Sequence, residues 1–279
     1  MSFDLFLRER LYLHNVSQRT IEWYEQSFKW LGSETPDEAA LSNFVVRMRE
    51  RGLQASSCNC RARAVNAYLK WSGSPLRVQR MKQEQRVLPT FTIDQIGRLA
   101  CFKPKSYYQK RLHTLTMMLS DTGCRIDEAL SLRWLDCDLD NLLLTLRGKG
   151  RKERKVPMSF ELRRAVWLFK RASVSEGVVA EGVALVFCTR RGTKLGRRDV
   201  LRDVKRLCKR LGIAPPERTL HAFRHSFAVH YLRKGGSVFH LQRVLGHSTL
   251  EMTRRYVNLA TEDLQKIHQS VSLLSDAMR

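Results

Sequence analysis

Six residues spread over the C-terminal two thirds of the chain carry groups suited to work on a phosphate: Arg125, Lys149, His221, Arg224, His247 and Tyr256. A guanidinium forks onto two non-bridging phosphate oxygens at once. An imidazole moves protons near neutral pH, and a lysine ammonium can protonate a leaving alkoxide. A phenol attacks phosphorus only when a base or a nearby positive charge offsets its ordinary pKa of about 10. Gathered around one phosphorus, two arginines, two histidines and a lysine would neutralise the extra charge of a five-coordinate state, a task that metal ions perform in other phosphoryl-transfer sites. The tyrosine would open the strand by attaching itself to it.

Taken singly, each residue also has an ordinary structural reading. His221 and Arg224, three apart in LHAFRHSFA, share one face of a helix. His221 and His225 are four apart, which is metal-ligand spacing. Ala222 stands where a metalloprotease pattern needs glutamate, and no third ligand is in register, so no metal and no cofactor is expected. His247 follows Gly246 at a helix stop, just before a new cap at Ser248 or Thr249. Arg125, in DTGCRIDEALSL, sits between the helix-ending Gly123 and the next helix. Glu128, three residues on, can pin its guanidinium; as a plain surface pair that contact would contribute under ~1 kcal/mol. Lys149 occupies the tip of LRGKGRKERKVPM, where flanking glycines let a hairpin turn present the ammonium. It reads either as a mobile general acid or as one more cation on a DNA backbone, and the latter is all that is expected of Arg151, Lys152, Arg154 and Lys155. Tyr256, in EMTRRYVNLA, reads alone as a packing residue. The conjunction, not any member, carries the chemistry.

Hydrophobic periodicity supplies the elements that must position these groups. Residues 1–72 read as four short helices, with Phe3, Phe6 and Leu7 on the first and Ser17 capping a second whose face holds Ile21, Tyr24, Phe28 and Leu31. A third runs from about Pro36 to Arg51, and a fourth from near Ser56 to before Gly73. Arg61, Arg63 and Lys70 make this bundle a candidate DNA grip, with solvated helix faces as the competing reading. Residues 73–91 break the periodicity with Gly73, Pro75 and Pro89 and read as a basic linker. From residue 92 to 279 the pattern predicts a mainly α domain with a small antiparallel sheet. Its strands are expected at Leu135–Cys137, Leu142–Leu146 and Glu153–Pro157, and a helix opened by Arg125 is expected to run through Leu132. A last helix is expected over Thr261–Leu274.

The chain has 279 residues and a formal net charge of +23. Such a charge points to a polyanionic partner. Residues 1–82 hold 13 basic and 8 acidic side chains, and residues 83–279 hold 37 and 19, so the second part carries most of the field. The charge is spread through periodic, core-bearing sequence. That separates the chain from proteins with a basic tail or one membrane-surface helix. Seven cysteines, an odd number with no C-x-x-C pair, read as reduced thiols. The opening MSFDLFLRER does not resemble a signal peptide. No apolar run approaches the roughly 20 residues that span a bilayer. No membrane association is expected, and the location expected is the prokaryotic cytoplasm and nucleoid.

The strings TGCRIDEALSLRW, GKGRKERKVPM, LHAFRHSFAVHYL and LGHSTLEMTRRYVNL, in this order, resemble the tyrosine recombinases, also called the phage-integrase family. They span Thr122 to Leu259, about half the chain; the N-terminal part is similar only in kind. The resemblance implies a two-domain clamp on DNA, C-shaped, made of a helical core-binding domain and a catalytic domain. It implies that Arg125 and Arg224 hold the scissile phosphate and that Glu128 steadies Arg125. Lys149 would protonate the leaving 5′ oxygen, with His221 and His247 assisting. Tyr256 would form a 3′-phosphotyrosyl bond that conserves the phosphodiester energy without ATP or metal. The partners implied are double-stranded DNA with an inverted-repeat core site and three further copies of the chain, assembled through exchange of a C-terminal helix. Leu264, Ile267, Val271 and Leu274 would supply that helix's apolar face. Strand exchange through a Holliday junction would then serve a mobile element or replicon, in integration, excision or resolution. Two other readings stay open: relaxation of DNA by a type IB topoisomerase, and a DNA-binding regulator without catalysis.

Overall fold

The computed structural model describes residues 2–82, 88–148, 153–178 and 185–260, with side chains as far as Val257. The chain divides into two compact units, Met1–Arg86 and Val87–Arg279.

The first unit contains α1 (Phe3–Tyr12), α2 (Gln18–Leu31), α3 (Glu38–Glu50) and α4 (Ala55–Trp71). Ser2 and Asp37 cap α1 and α3 by accepting from the Leu5 and Ala40 backbone N–H groups. Ser17 stands at the start of α2, but its hydroxyl pairs with that of Thr20 instead of the backbone. One end of the core is aromatic. Phe3 stacks on Phe28 at 4.1 Å, and Phe6 meets Tyr24 and Tyr68 edge-on. The other end packs Leu31, Leu41, Phe44, Met48, Val65 and Leu69. Val78 joins that cluster. Its backbone exchanges two hydrogen bonds with the Asn66 side chain, and Met81 does the same with Asn59. A side-chain amide offers a donor and an acceptor side by side, so each asparagine serves as a one-residue ladder. Part of the stretch read as a linker is thereby fastened to the helices.

The second unit contains α5 (Ile93–Ala100), α6 (Tyr107–Thr122), α7 (Ile126–Ala129), a 3-10 turn at Trp134–Asp136, β1 (Cys137–Asp138), β2 (Leu143–Arg147), β3 (Glu153–Pro157), α8 (Phe160–Ser175), α9 (Arg197–Arg210), α10 (Thr219–Arg233), α11 (Val238–Leu245) and α12 (Leu250–Ala260). The strands form an antiparallel sheet in the order β1-β2-β3, with Leu144 opposite Val156. Thr92 starts α5 with a full capping box shared with Gln95. Helix α6 runs through the middle and packs on α5, α8, α9 and α10. Met118, Leu119, Leu144, Val156, Phe169, Phe187 and Phe223 fill the interior around it. Each such side chain stabilises the fold by about 1.5–3 kcal/mol.

Two expectations are corrected here. The strand expected at Leu135–Cys137 is mostly the 3-10 turn, because the buried Asp136 carboxylate accepts from the Arg133 backbone and from the Arg133 and Arg147 guanidinium groups. Those bonds close the chain into a turn before Cys137 can pair. The helix after Arg125 ends at Ala129 rather than Leu132; Ser131 and Leu132 donate to the carbonyls of Glu128 and Ala129, a tighter i→i+3 pattern. The helix expected over Thr261–Leu274 lies outside the described residues.

Candidate active site

Two helices end where the site begins. Gly123 terminates α6 at φ +60° and Gly246 terminates α11 at φ +65°, left-handed conformations that glycine adopts without steric cost. The last carbonyls of a helix lack partners within it and form the negative end of its dipole. Here arginines occupy them. Arg224, from the first turns of α10, donates to Gly123 O at 2.9 Å and to Leu245 O at 2.8 Å. Arg125 Nη1 reaches the same Leu245 O at 3.4 Å, and Arg154 Nε donates to Val244 O at 2.8 Å. Two guanidinium groups, 99 residues apart in sequence, thus meet at one oxygen. Arg224 is only 4% exposed. Burial, then the neighbouring Arg125, pulls its pKa down to about 10, which leaves it charged at neutral pH.

Glu128 offsets this positive charge. Its carboxylate accepts both ends of the Arg154 fork at 2.8 and 2.7 Å, and also the Arg125 Nη1 at 3.0 Å and the Arg125 backbone N–H at 2.8 Å. Burial alone would raise its pKa; the Arg154 and Arg125 bonds outweigh burial and hold it below the usual carboxylate range. The Arg125 side chain remains about a third exposed, so its free edge faces solvent from a fixed position.

Tyr256, on α12, is 5% exposed and lies against α10 and α11. Its hydroxyl is 3.0 Å from His225 Nδ1, and its ring stacks on His247 at 6.1 Å with the planes 7° apart. Burial raises the phenol's pKa; the positive charge of Arg224 opposes that without cancelling it. The resting phenol is therefore protonated. His247 Nδ1 is fixed by Thr253 Oγ1 at 2.9 Å, and burial plus Arg224 and Arg125 lowers its pKa to about 4. His221 Nε2 lies 3.2 Å from Arg197 on α9, and its ring neighbours that of His225 at 6.4 Å. Burial, with Arg197 and Arg224, lowers its pKa as well.

Arg125, Arg224, His221, His247 and Tyr256 are thus brought to one end of the second unit, with Glu128 beneath them. Lys149, Arg151 and Lys152 lie outside the described residues. Lys155 is exposed on β3. Arg154 departs from its expected role: its side chain is 13% exposed and engaged by Glu128 and Val244, so it braces Arg125's partner instead of meeting a DNA backbone. In the first unit Arg63 and Lys70 are exposed, while Arg61 lies half-buried over the Trp30 ring at 5.8 Å. The sequence reading missed three residues: His225, Thr253 and Arg197. His225 had been weighed as a metal ligand; its Nδ1 is taken by Tyr256, and a contact across 31 positions leaves no trace in local spacing.

Residues 89–263 match the model of the phage integrase family. The chain is 31% identical over 275 residues to the tyrosine recombinase XerA of Thermococcus kodakarensis, covering 96% of this chain and 90% of that one. It is 32% identical over 242 residues to the tyrosine recombinase XerC of Xanthomonas axonopodis pv. citri, covering 84% and 77%. Among solved structures, the Tn1549 transposon integrase in complex with transposon right end DNA superposes with a TM-score of 0.74 at 20% identity, over 96% of this chain and 98% of that one. The XerH site-specific recombinase bound to a palindromic difH substrate, in a post-cleavage complex, gives 0.73 at 18% identity, over 98% and 84%. At those identities the structures share the fold.

Proposed function

The chain belongs to the phage integrase family and is a tyrosine recombinase, an enzyme that cleaves and rejoins DNA strands, and we propose that Tyr256 is its nucleophile within a pocket built by Arg125 and Arg224. DNA relaxation of the topoisomerase kind and a purely regulatory role are not favoured by relatives that are named recombinases.

One observation carries the residue assignment: two guanidinium groups share the Leu245 carbonyl while the charge of one of them, Arg224, acts on the hydroxyl of Tyr256. A phosphate entering this corner replaces the carbonyl as the acceptor both arginines can reach, and it lands beside the phenol. Donors already fixed by Glu128 and Gly123 need little reorganisation when the phosphorus becomes five-coordinate. His221 and His247, kept neutral by burial and by the arginines, donate an N–H to the phosphate oxygens without adding charge. Lys149, between β2 and β3, protonates the departing 5′ oxygen. The covalent 3′-phosphotyrosyl bond retains the energy of the phosphodiester, so the 5′ hydroxyl of another strand can attack in return without ATP. Four copies of the chain, two on each inverted-repeat core site, would exchange strands in pairs through a Holliday junction, joined by the segment after α12. The DNA exchanged would belong to a mobile element or a replicon in a prokaryotic nucleoid.

Trapping on a suicide substrate tests the assignment. Tyr256→Phe is expected to bind DNA with unchanged affinity and to give no covalent adduct on a denaturing gel; an adduct from this variant would refute the assignment.

A further inference from the structure

Tyr256 must lose a proton to attack, and Arg224 cannot take it. A guanidinium carries five donors and no acceptor. The phenol's hydrogen needs an acceptor elsewhere, and among the described residues the side-chain atom at hydrogen-bond distance from the phenol oxygen is His225 Nδ1, at 3.0 Å. In the neutral tautomer that carries its hydrogen on Nε2, Nδ1 holds the lone pair that accepts from the phenol. We propose that His225 is the catalytic base of DNA cleavage, receiving the phenolic proton of Tyr256 directly at Nδ1. This rests on the reading of Tyr256 as nucleophile and adds the group that activates it.

The step balances. The Oη–H bond breaks and its proton passes to Nδ1, making an imidazolium. The freed electron pair forms the Oη–P bond as the bond from phosphorus to the 5′ oxygen breaks, and that oxygen takes a proton from the Lys149 ammonium. In the return step an incoming 5′ hydroxyl gives its proton to the Lys149 amine, and the imidazolium of His225 reprotonates the departing phenolate. No external acid or base is consumed over the cycle.

The surroundings favour a neutral, proton-accepting imidazole before DNA arrives. His225 shares α10 with His221 and Arg224. Arg218 at the start of that helix and Arg255 on α12 also face it. Burial and then these groups pull its pKa down to about 4. Each non-bridging oxygen of an arriving phosphate brings negative charge into a corner where arginines outnumber the one Glu128 carboxylate, and this raises the proton affinity of Nδ1 as attack begins. The base is thus weak when the site is empty and strengthened by the substrate itself. His221 touches Arg197 instead of the phenol, and His247 presents its ring face, so neither competes for this hydrogen.

His225→Asn tests the proposal, because the asparagine Oδ1 can accept the same hydrogen bond but cannot keep the proton. Single-turnover adduct formation is read from about pH 6 to 9 on a suicide substrate, with DNA affinity and thermal unfolding measured alongside. Wild-type cleavage is expected to vary little with pH over this range. The variant is expected to bind DNA normally, to cleave at least about 100-fold more slowly at neutral pH, and to gain about tenfold per pH unit as hydroxide replaces the base. A variant with wild-type rate, or one slowed with an unchanged pH profile, overturns the proposal; the latter leaves His225 as a positioning residue only. As a second arm that keeps every protein contact, fluorotyrosine at position 256 lowers the phenol pKa. It should accelerate His225→Asn far more than the wild type, and equal effects count against the base. A wild-type protein giving no adduct would instead sink the reading of Tyr256, which separates the two failures.

Discussion

Glu128 shows how much a single buried acid can organise. It binds two arginines, and through Arg125 it fixes a donor whose side chain is still about a third exposed. Removing one partner of a buried ion pair costs about 3–5 kcal/mol, because the remaining charges lose both water and counter-ion. Glu128→Gln keeps the shape and removes the charge. It is expected to lose stability on that scale in urea unfolding at neutral pH, and to cleave more slowly because Arg125 and Arg154 repel each other across the gap. The pH dependence follows from the depressed carboxyl pKa. The unfolded state binds the proton more tightly than the folded one, so this contribution is present above an ordinary glutamate pKa of about 4.3 and is lost as pH falls through the lower, folded value. Wild-type stability should therefore fall in acid more steeply than that of Glu128→Gln. Parallel curves would mean that the carboxylate is not the group being titrated.

The elements position these side chains through their ends. Helix α11 offers its terminal carbonyls because Gly246 turns the chain away at φ +65°. A Cβ there would stand 3.0–3.1 Å from the Cδ, Nε and Nη1 of Arg154. Gly235, after α10, has φ +80° with nothing within 4 Å of the same position. Both Gly→Ala changes force a left-handed alanine, at a cost of about 1–2 kcal/mol. Only Gly246→Ala also displaces an arginine of the site. The two variants should lose similar stability in thermal melts, with cleavage at saturating DNA reduced in Gly246→Ala alone; equal cleavage would show that the carbonyl cradle tolerates movement. The order of helices, Gly123 as a stop and the Arg125–Glu128 pair were all legible in the sequence, since they depend on neighbours three or four positions apart. The inward aim of Arg154 was legible too, though unread: in β3 it alternates with exposed Glu153 and Lys155 and shares a face with buried Val156. The pairing of His225 with Tyr256 was not legible, because it depends on how α12 lies against α10, which neither helix encodes alone. The 3-10 turn at Trp134–Asp136 escaped for a similar reason. Its carboxylate is held by Arg147, eleven residues on, and local β propensity says nothing of that.

At the scale of the whole molecule the net charge of +23 decides how DNA is found and held. Cations that neutralise phosphates release condensed counter-ions, so the logarithm of affinity falls with the logarithm of salt by about 0.9 per phosphate contacted. If the protein contacts six or more phosphates, affinity should drop at least about 10³-fold between roughly 50 and 200 mM salt. The two exposed cations of α4 allow the share of the first unit to be measured. Among the described residues Arg63 has only a 3.4 Å contact with Cys60 Sγ to lose, and Lys70 is exposed at the end of the helix, so neither replacement disturbs the core. Arg61 is a poorer probe, because its stem covers Trp30. Arg63→Gln and Lys70→Gln should each reduce the salt slope by about one and leave single-turnover cleavage at saturating DNA unchanged. Tyr256→Phe should show the converse, with an intact slope and no chemistry. The measurement is affinity on a fixed duplex across a salt series. A slope unmoved by both α4 changes would assign those cations to solubility and long-range attraction, and the phosphate contacts would then have to come from the second unit, where most of the excess charge lies.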